Sequence, residues 1–157
     1  MNKSAGILLY RKKNKRVEFF LVHPGGPFWA KKDAGAWSIP KGEYEEGEDP
    51  LAAARREFEE ETGQTISGKF IALTPQRLKS GKQVMAWAVE GDIDEKKIRS
   101  NTFEMEWPPK SGRRQSFPEV DKGGWFDVET AKQKINERQA ALIEDFLENY
   151  RLMNKEG

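Results

Sequence analysis

The stretch from Asp49 to Gly63 constrains this chain more than any other. Asp49-Pro50 is a helix start, because an Asp side chain accepts from the first free backbone N–H groups and Pro fits the first helical position. Leu51-Ala52-Ala53-Ala54 carries the helix on, and Gly63 after Thr62 is a natural stop. Within this helix Glu57, Glu60 and Glu61 recur at spacings of three and four, so they share one face. Carboxylates crowded into one turn repel, and the helix is weakened unless something cationic sits among them. A hard divalent cation is the natural neutraliser: Mg²⁺ takes carboxylate oxygens and keeps positions for water and substrate phosphates. Arg56 is placed to reach Glu60 on the next turn and Glu48 in the preceding loop, which fixes the carboxylate rotamers. An acidic helix face standing alone is most often a solvated surface, so the residues around it decide the matter.

Composition narrows the chemistry. The chain has no cysteine, which removes disulfides, iron–sulfur clusters, thiolate zinc sites and thiol nucleophiles together and suits a reducing compartment. His23 is the single histidine, so any metal site within the chain is built from oxygen ligands, the chemistry of magnesium, manganese or calcium. Lys and Arg number 27 against 26 Asp and Glu, a net charge of +1 that argues against a general nucleic-acid binder. At 157 residues one domain spanning 1–157 is expected. No apolar run approaches the ~20 residues that span a bilayer, and Met1-Asn2-Lys3-Ser4 has no long apolar stretch behind it. A soluble cytoplasmic protein with neither signal peptide nor membrane partner is the expectation.

Short apolar runs at 5–10 and 17–22 flank the polar turn Lys12-Lys13-Asn14-Lys15 and predict a hairpin. Pro24 to Gly35 reads as an ordered loop rich in Gly, Pro and aromatics, and Trp37-Ser38-Ile39 as a short extended piece ended by Pro40. Residues 65–74 and 82–91 read as a strand pair joined around Ser80-Gly81, with the second strand central. Phe103, Met105 and Trp107 alternate with Thr102, Glu104 and Glu106 as in a strand, followed by a basic turn from Pro108 to Arg114. Trp125-Phe126 begins a last short strand. Leu142, Ile143, Phe146, Leu147 and Tyr150 stand at helical spacing, giving an amphipathic helix that covers the sheet. The element order fits an α+β fold with helices on a mixed sheet.

Gly42, Glu48, Arg56-Glu57, Glu60-Glu61 and Gly63 stand at the spacings of the Nudix box, here residues 42–64, and the chain resembles the Nudix hydrolases, the MutT-like family. The strands at 5–10 and 17–22 and the closing Trp125-Phe126 also sit where that family places its sheet. The resemblance implies an α/β/α sandwich with the box helix on one side of a mixed sheet and a C-terminal helix on the other. It implies a pyrophosphohydrolase acting on a nucleoside diphosphate linked to another moiety, with Mg²⁺, or Mn²⁺ in its place, as cofactor. Carried over residue by residue, Glu57, Glu60 and Glu61 are metal ligands, with the backbone carbonyl of Lys41 as another and Arg56 and Glu48 as the orienting pair. A further acidic residue before the last strand is expected to join them: Glu119 matches best, Asp121 is the fallback, and Glu104 and Glu106 are already explained by strand alternation. Glu57 and Glu119 are the two candidates for the general base. Gln64 departs from the aliphatic residue usual after the box glycine, which questions where the next strand starts.

The lead-in Trp37-Ser38-Ile39-Pro40-Lys41-Gly42 is similar to that of the asymmetric dinucleoside-tetraphosphate hydrolases, implying a substrate such as diadenosine tetraphosphate. Alternatives within the chemistry are oxidised nucleoside triphosphates, ADP-ribose or another nucleotide sugar, and RNA 5′ ends. A nucleotide-binding module without turnover is the alternative outside it. Phe28, Trp29 and Trp37 are candidates for stacking on a base, with loop or core packing as the competing reading. Lys31, Lys32, Lys110, Arg113 and Arg114 are candidates for phosphate contacts, with a solvated surface as the competing reading. His23 reads as a loop-packing residue. The partner is a small nucleotide, the quaternary state monomer or homodimer.

Overall fold

The computed structural model describes residues 3–77 and 81–156, the last five of them as backbone only. The strands are β1 Lys3–Lys13, β2 Arg16–Pro24, β3 Lys41–Tyr44, β4 Ile71–Ala72, β5 Gln76–Arg77, β6 Gln83–Glu90, β7 Thr102–Glu106, β8 Arg114–Pro118 and β9 Val120–Asp127. The helices are α1 Pro50–Thr62, α2 Val128–Lys134 and α3 Ala140–Glu156. Among the described residues seven strands form one mixed sheet in the order β4-β6-β1-β2-β9, with β3 added to β1 and β5 to β6. β1 runs parallel to β6 and antiparallel to β2 and β3. β7 and β8 pair only with each other and form a separate hairpin.

Alternation along β1 and β2 builds the sandwich. Leu8, Tyr10, Phe19 and Leu21 point to one face and pack with Leu142, Ile143 and Phe146 of α3. Ala5, Ile7, Leu9, Phe20 and Val22 point to the other face and pack with Ala53, Ala54 and Phe58 of α1. Strands buried on both faces read as unbroken apolar runs, which is how these segments stand in the sequence. Phe146 closes one layer with ring centroids 4.6 Å from Tyr10 and 5.3 Å from Phe19. Phe58, 1% exposed, plugs the other, and its loss to Ala is worth about 3–5 kcal/mol.

The α/β/α architecture is as expected, and several elements are corrected in extent. β1 and β2 are longer than the apolar runs at 5–10 and 17–22, because polar ends extend the ladder beyond the buried part. Trp37 and Ser38 make only isolated bridges, to Ile135 and Val22, while β3 begins just after Pro40. The strand expected over 65–74 shrinks to Ile71–Ala72, followed by the separate pair Gln76–Arg77, so residues 64–70 after the box are irregular. Of the turn expected around Ser80-Gly81, Ser80 lies outside the described residues. The partner strand β8 and the short helix α2, capped by the Asp127 carboxylate accepting from Thr130 N–H at 2.8 Å, are additions. Among the described residues no helix is long and apolar enough to cross a membrane.

Candidate active site

α1 is set in place by its ends. The Asp49 carboxylate accepts from Ala52 N–H at 3.0 Å, and Gly63 takes the left-handed conformation (φ 73°) while its N–H closes on the Glu59 carbonyl. The helix lies against β1 and β3, so its inner carboxylates meet the strand that opens the box. Glu57 is 8% exposed and its carboxylate fills the space over Gly42, where a Cβ would stand 2.1 Å from Glu57 Cδ. Glu61 accepts from the backbone N–H of Lys41 at 3.3 Å. Glu60, three residues from Glu57, stands at the helix edge.

Arg56 gathers these groups. Its Nε and Nη2 donate to the two oxygens of Glu48 at 3.2 and 3.3 Å, and Nη1 donates to Glu57 Oε1 at 2.9 Å and Glu60 Oε1 at 3.3 Å. The planar fork spans the loop carboxylate and the helix carboxylates at once, which a lysine cannot do. Those contacts hold the Arg56 guanidinium more firmly protonated than usual.

The inner carboxylates are electrostatically unsatisfied. Burial raises the Glu57 pKa, the charge of Glu60 adds to it, and Arg56 opposes it. Burial likewise pushes Glu61 up to about 8, against the pull of the Lys41 N–H and ammonium, with Glu57 and Glu119 adding repulsion. Lys41 is the mirror case: burial and nearby Lys82 lower its pKa. Among the described residues no three Asp, Glu or His side chains are already drawn together as a metal cage. The donor set nonetheless fits a hard divalent cation by its chemistry, since it is all oxygen and a cation offsets both the burial and the lesser mutual repulsion that raise Glu57 and Glu61.

Glu119 and Asp121 stand two apart, yet the structure separates them. The ladder between β2 and β9 slips between His23 and Pro24: His23 faces Lys122, Pro24 faces Val120, and Asp121 is the extra residue. Such a bulge breaks the two-residue period and re-aims side chains. Asp121 turns to His23, its Oδ1 2.9 Å from Nδ1, whereas Glu119 is near enough to Glu57 and Glu61 to raise both. His23 is 1% exposed, with Nε2 2.6 Å from the Lys32 carbonyl and its ring against Trp37, so it braces the loop after β2 as expected of a packing residue.

Two cavities meet at Glu119. The larger, about 950 Å³, is lined by Trp29, Lys41, Glu61, Lys132 and Arg138 among others. The smaller, about 330 Å³, is lined by Gly26, Phe28, Trp29, Phe103 and Met105. Trp29 therefore stands at the site. Trp37 does not: it is 5% exposed in the α3-side core, with Nε1 donating to Asp33 at 2.7 Å, and is corrected from a stacking candidate to a core residue. Lys32 holds its ammonium over the Phe28 and Trp29 rings, 4.0 and 5.1 Å from their centroids. Lys31 is exposed and borders neither cavity. Arg113 and Arg114 lie at the far end of the β7–β8 hairpin, also away from both cavities, with Arg114 3.7 Å from Glu104. In the sequence Phe103 and Met105 show only strand alternation and Lys132 and Arg138 carry no signal, because their arrival at the site depends on long-range packing.

The NUDIX domain family matches residues 2–146. Nudix hydrolase 25 of Arabidopsis thaliana is 48% identical over 44 residues, a match spanning 28% of this chain and only 25% of that protein. The RNA pyrophosphohydrolase of Bartonella henselae is 28% identical over 149 residues, covering 82% of this chain and 77% of that one. The structure of a Caenorhabditis elegans Ap4A hydrolase binary complex is similar with a TM-score of 0.65, at 22% identity, over 96% of this chain and 98% of that one, a likeness of fold. With its box residues gathered at one end of a matching sandwich, the chain belongs to the NUDIX family of hydrolases.

Proposed function

We propose that residues 1–157 form a single domain that hydrolyses a pyrophosphate bond in a dinucleoside polyphosphate, such as diadenosine tetraphosphate, with Mg²⁺ or, in its place, Mn²⁺. The observation that carries this reading is that two cavities share Glu119 on their walls, with Lys41 and Glu61 on the wall of the larger, so that a phosphate chain passing Glu119 and Glu61 has room for a group at each end. The lead-in from Trp37 to Gly42 and the fold likeness to the Caenorhabditis elegans Ap4A hydrolase point the same way. Glu57, Glu61, Glu60, Glu119 and the Lys41 carbonyl would hold the metal, while Arg56 and Glu48 keep Glu57 and Glu60 in place. Bound there, the cation supplies Lewis-acid polarisation of phosphate oxygens and a lowered pKa for attacking water. Glu57 or Glu119 takes the proton of that water. Lys132 and Arg138 face the larger cavity and offer cationic contacts to the phosphates beyond the scissile bond. The absence of cysteine suits a cytoplasmic setting.

A second reading has its own support. The Bartonella henselae relative is an RNA pyrophosphohydrolase, and the larger cavity, about 950 Å³, is bordered by Lys132 and Arg138, cations suited to the phosphates of an RNA 5′ end. Mass-spectrometric product analysis separates the two, comparing diadenosine tetraphosphate with 8-oxo-dGTP, ADP-ribose, capped RNA and 5′-triphosphorylated RNA, and using Glu61→Gln as the blank. ATP plus AMP from the first substrate, absent in the blank, is the expected result. Faster cleavage of RNA 5′ ends replaces the first reading with the second.

A further inference from the structure

Glu119 is exposed, and among the described residues no hydrogen bond or ion pair holds its side chain. Where such a carboxylate points is decided by its backbone, the single residue between β8 and β9. Two segments far away in sequence grip that backbone. The Glu119 carbonyl accepts from Gly25 N–H at 2.9 Å, and its N–H donates to the Asn101 carbonyl at 2.8 Å. Val120, the next residue, faces Pro24 across the ladder, and a proline brings no N–H to it. Its backbone is met instead by a side chain. Ser100 Oγ accepts from Val120 N–H at 3.0 Å, and the hydroxyl lies 3.0 Å from the Val120 carbonyl and 2.9 Å from that of Asn101, to either of which it donates.

The segment that carries Ser100 is fastened to the box helix. The last carbonyls of a helix have no partner within it, and here two of them are taken: Arg99 N–H donates to the Thr62 carbonyl and Asn101 N–H to the Glu60 carbonyl, each at 2.9 Å. Ile98 presses the same segment onto β9, its Cδ1 2.2 Å from where a Cβ on Gly123 would stand. Residues 98–101 therefore tie the end of α1 to the start of β9. Asn101 alone reaches both sides, its N–H on the helix that bears the box carboxylates and its carbonyl on Glu119. Arg99 and Asn101 work through their backbone and Ser100 through its side chain, so Ser100 is where a substitution reaches the tie.

We propose that Ser100 is a positioning residue of the metal site: its hydroxyl latches the start of β9 to the end of α1 and so holds Glu119 opposite Glu57 and Glu61. The inference rests on the reading of Glu119 as a metal ligand and adds to it the element that puts this ligand in place. Glu57, Glu60 and Glu61 keep their spacing by the helical period, whereas Glu119 enters from another part of the chain, beside the slip in the β2–β9 ladder. It also stands near enough to repel Glu57 and Glu61. Repulsion drives an exposed carboxylate outward until a cation arrives, and a backbone fixed on both sides limits how far it can go. Without the latch the box helix keeps its own carboxylates, and the cation loses one ligand rather than the whole site.

Mn²⁺ titrated into the nucleotide-free protein tests it, with the free ion followed by electron paramagnetic resonance. The proteins compared are the parent, Ser100→Ala, Ser100→Thr, Glu119→Gln and the double variant of Ser100→Ala with Glu119→Gln. Loss of a group that orients a metal ligand costs about 10- to 100-fold in metal affinity. Ser100→Ala is expected to weaken Mn²⁺ binding about tenfold, and Ser100→Thr, which keeps the hydroxyl, to restore most of it. The double variant is expected to bind no more weakly than Glu119→Gln, since Ser100 acts through Glu119. Binding by Ser100→Ala within about twofold of the parent, or losses that multiply in the double variant, overturn the proposal. Parent-like binding by Glu119→Gln removes the ligand reading of Glu119 and this proposal with it. A parent that binds the ion and cleaves no nucleotide sinks the hydrolase reading alone. Where Ser100→Ala fails to fold, hydrogen exchange on the parent decides: Mg²⁺ is expected to protect the amides of Glu119 and Val120 more than those of β1, and an equal gain overturns the proposal.

Discussion

The Glu57 carboxylate occupies the place of a side chain at Gly42: a Cβ there would lie 2.1 Å from Glu57 Cδ and 2.1 Å from its Oε2. The glycine is required by this close approach, since its backbone is not in the left-handed region and no turn demands it. Strand β3 and helix α1 are registered to each other through one missing methyl group. That is how β3, paired with the start of β1, and α1 on the face of the sheet present a single array of carboxylates.

Gly42→Ala tests this registration. The new methyl has to push Glu57 away, which breaks its contact with Arg56 and spoils the array, while the strand itself tolerates alanine. A fall in kcat of at least about tenfold is expected, with stability changing by no more than about 1–2 kcal/mol. Parent-like turnover would show that the position of Glu57 is immaterial to the chemistry.

Arg56→Lys separates charge from geometry. Lysine keeps the positive charge but cannot bridge Glu48, Glu57 and Glu60 together. The side chains involved are partly exposed, 40% for Arg56 and 32% for Glu48, so the stability loss stays below about 1 kcal/mol. Turnover is expected to drop by about tenfold or more, because the carboxylates lose their common brace. A variant with parent-like kcat at saturating Mg²⁺ would mean that the cation alone orders them.

Glu61 gives the metal-free protein a pH dependence of definite sign. Its carboxyl titrates near its ordinary value of 4.5 in the unfolded chain and is pushed up to about 8 by burial in the folded one. Between those values the folded state holds a proton that the unfolded state has lost, so this group makes stability fall as pH rises. In a chelator, melting temperature is expected to decline from pH 5 to 8 more steeply for the parent than for Glu61→Gln, by a difference of several degrees. Adding Mg²⁺ at pH 8 is expected to raise the parent's melting temperature and leave the variant nearly where it was. Identical pH slopes for the two proteins would contradict the assignment.

What the sequence made legible is what is local. Asp49, Pro50 and Gly63 delimit α1 by capping chemistry, and the spacing of Glu57, Glu60 and Glu61 follows from the helical period alone. The apolar runs of β1 and β2 announce strands buried on both faces. β3 was not legible, since Lys-Gly-Glu-Tyr has no strand signature and becomes a strand only by pairing with Lys3 to Gly6. Trp37 could not be told from Trp29, because whether a loop aromatic turns to core or cavity depends on α3 and on Phe126, far away in sequence. The separation of Glu119 from Asp121 rests on a one-residue slip in the β2–β9 ladder, which leaves no composition behind it. The alternation of Phe103 and Met105 shows one face of a strand, but what that face meets is settled by the Gly25-Gly26 loop.

His23 joins that loop to β9, the strand that begins just after Glu119. Its Nδ1 lies 2.9 Å from Asp121 Oδ1 and its Nε2 2.6 Å from the Lys32 carbonyl, so one buried ring bridges β9 and the far end of the loop. His23→Ala removes the ring contacts to Asp121 and to the Lys32 carbonyl and empties the space beside Trp37, at a cost of about 2–4 kcal/mol. The loss is expected to be local first: in hydrogen exchange the amides of Lys32 and Ala36, which close turns of this loop, and of Gly35, which ties it to the Gln133 carbonyl of α2, should lose protection before those of β1 and β6. KM should rise along with it, because Phe28 and Trp29 ride on the same loop and line the site. Unchanged protection at those amides, with a uniform fall elsewhere, would show that His23 serves only the core.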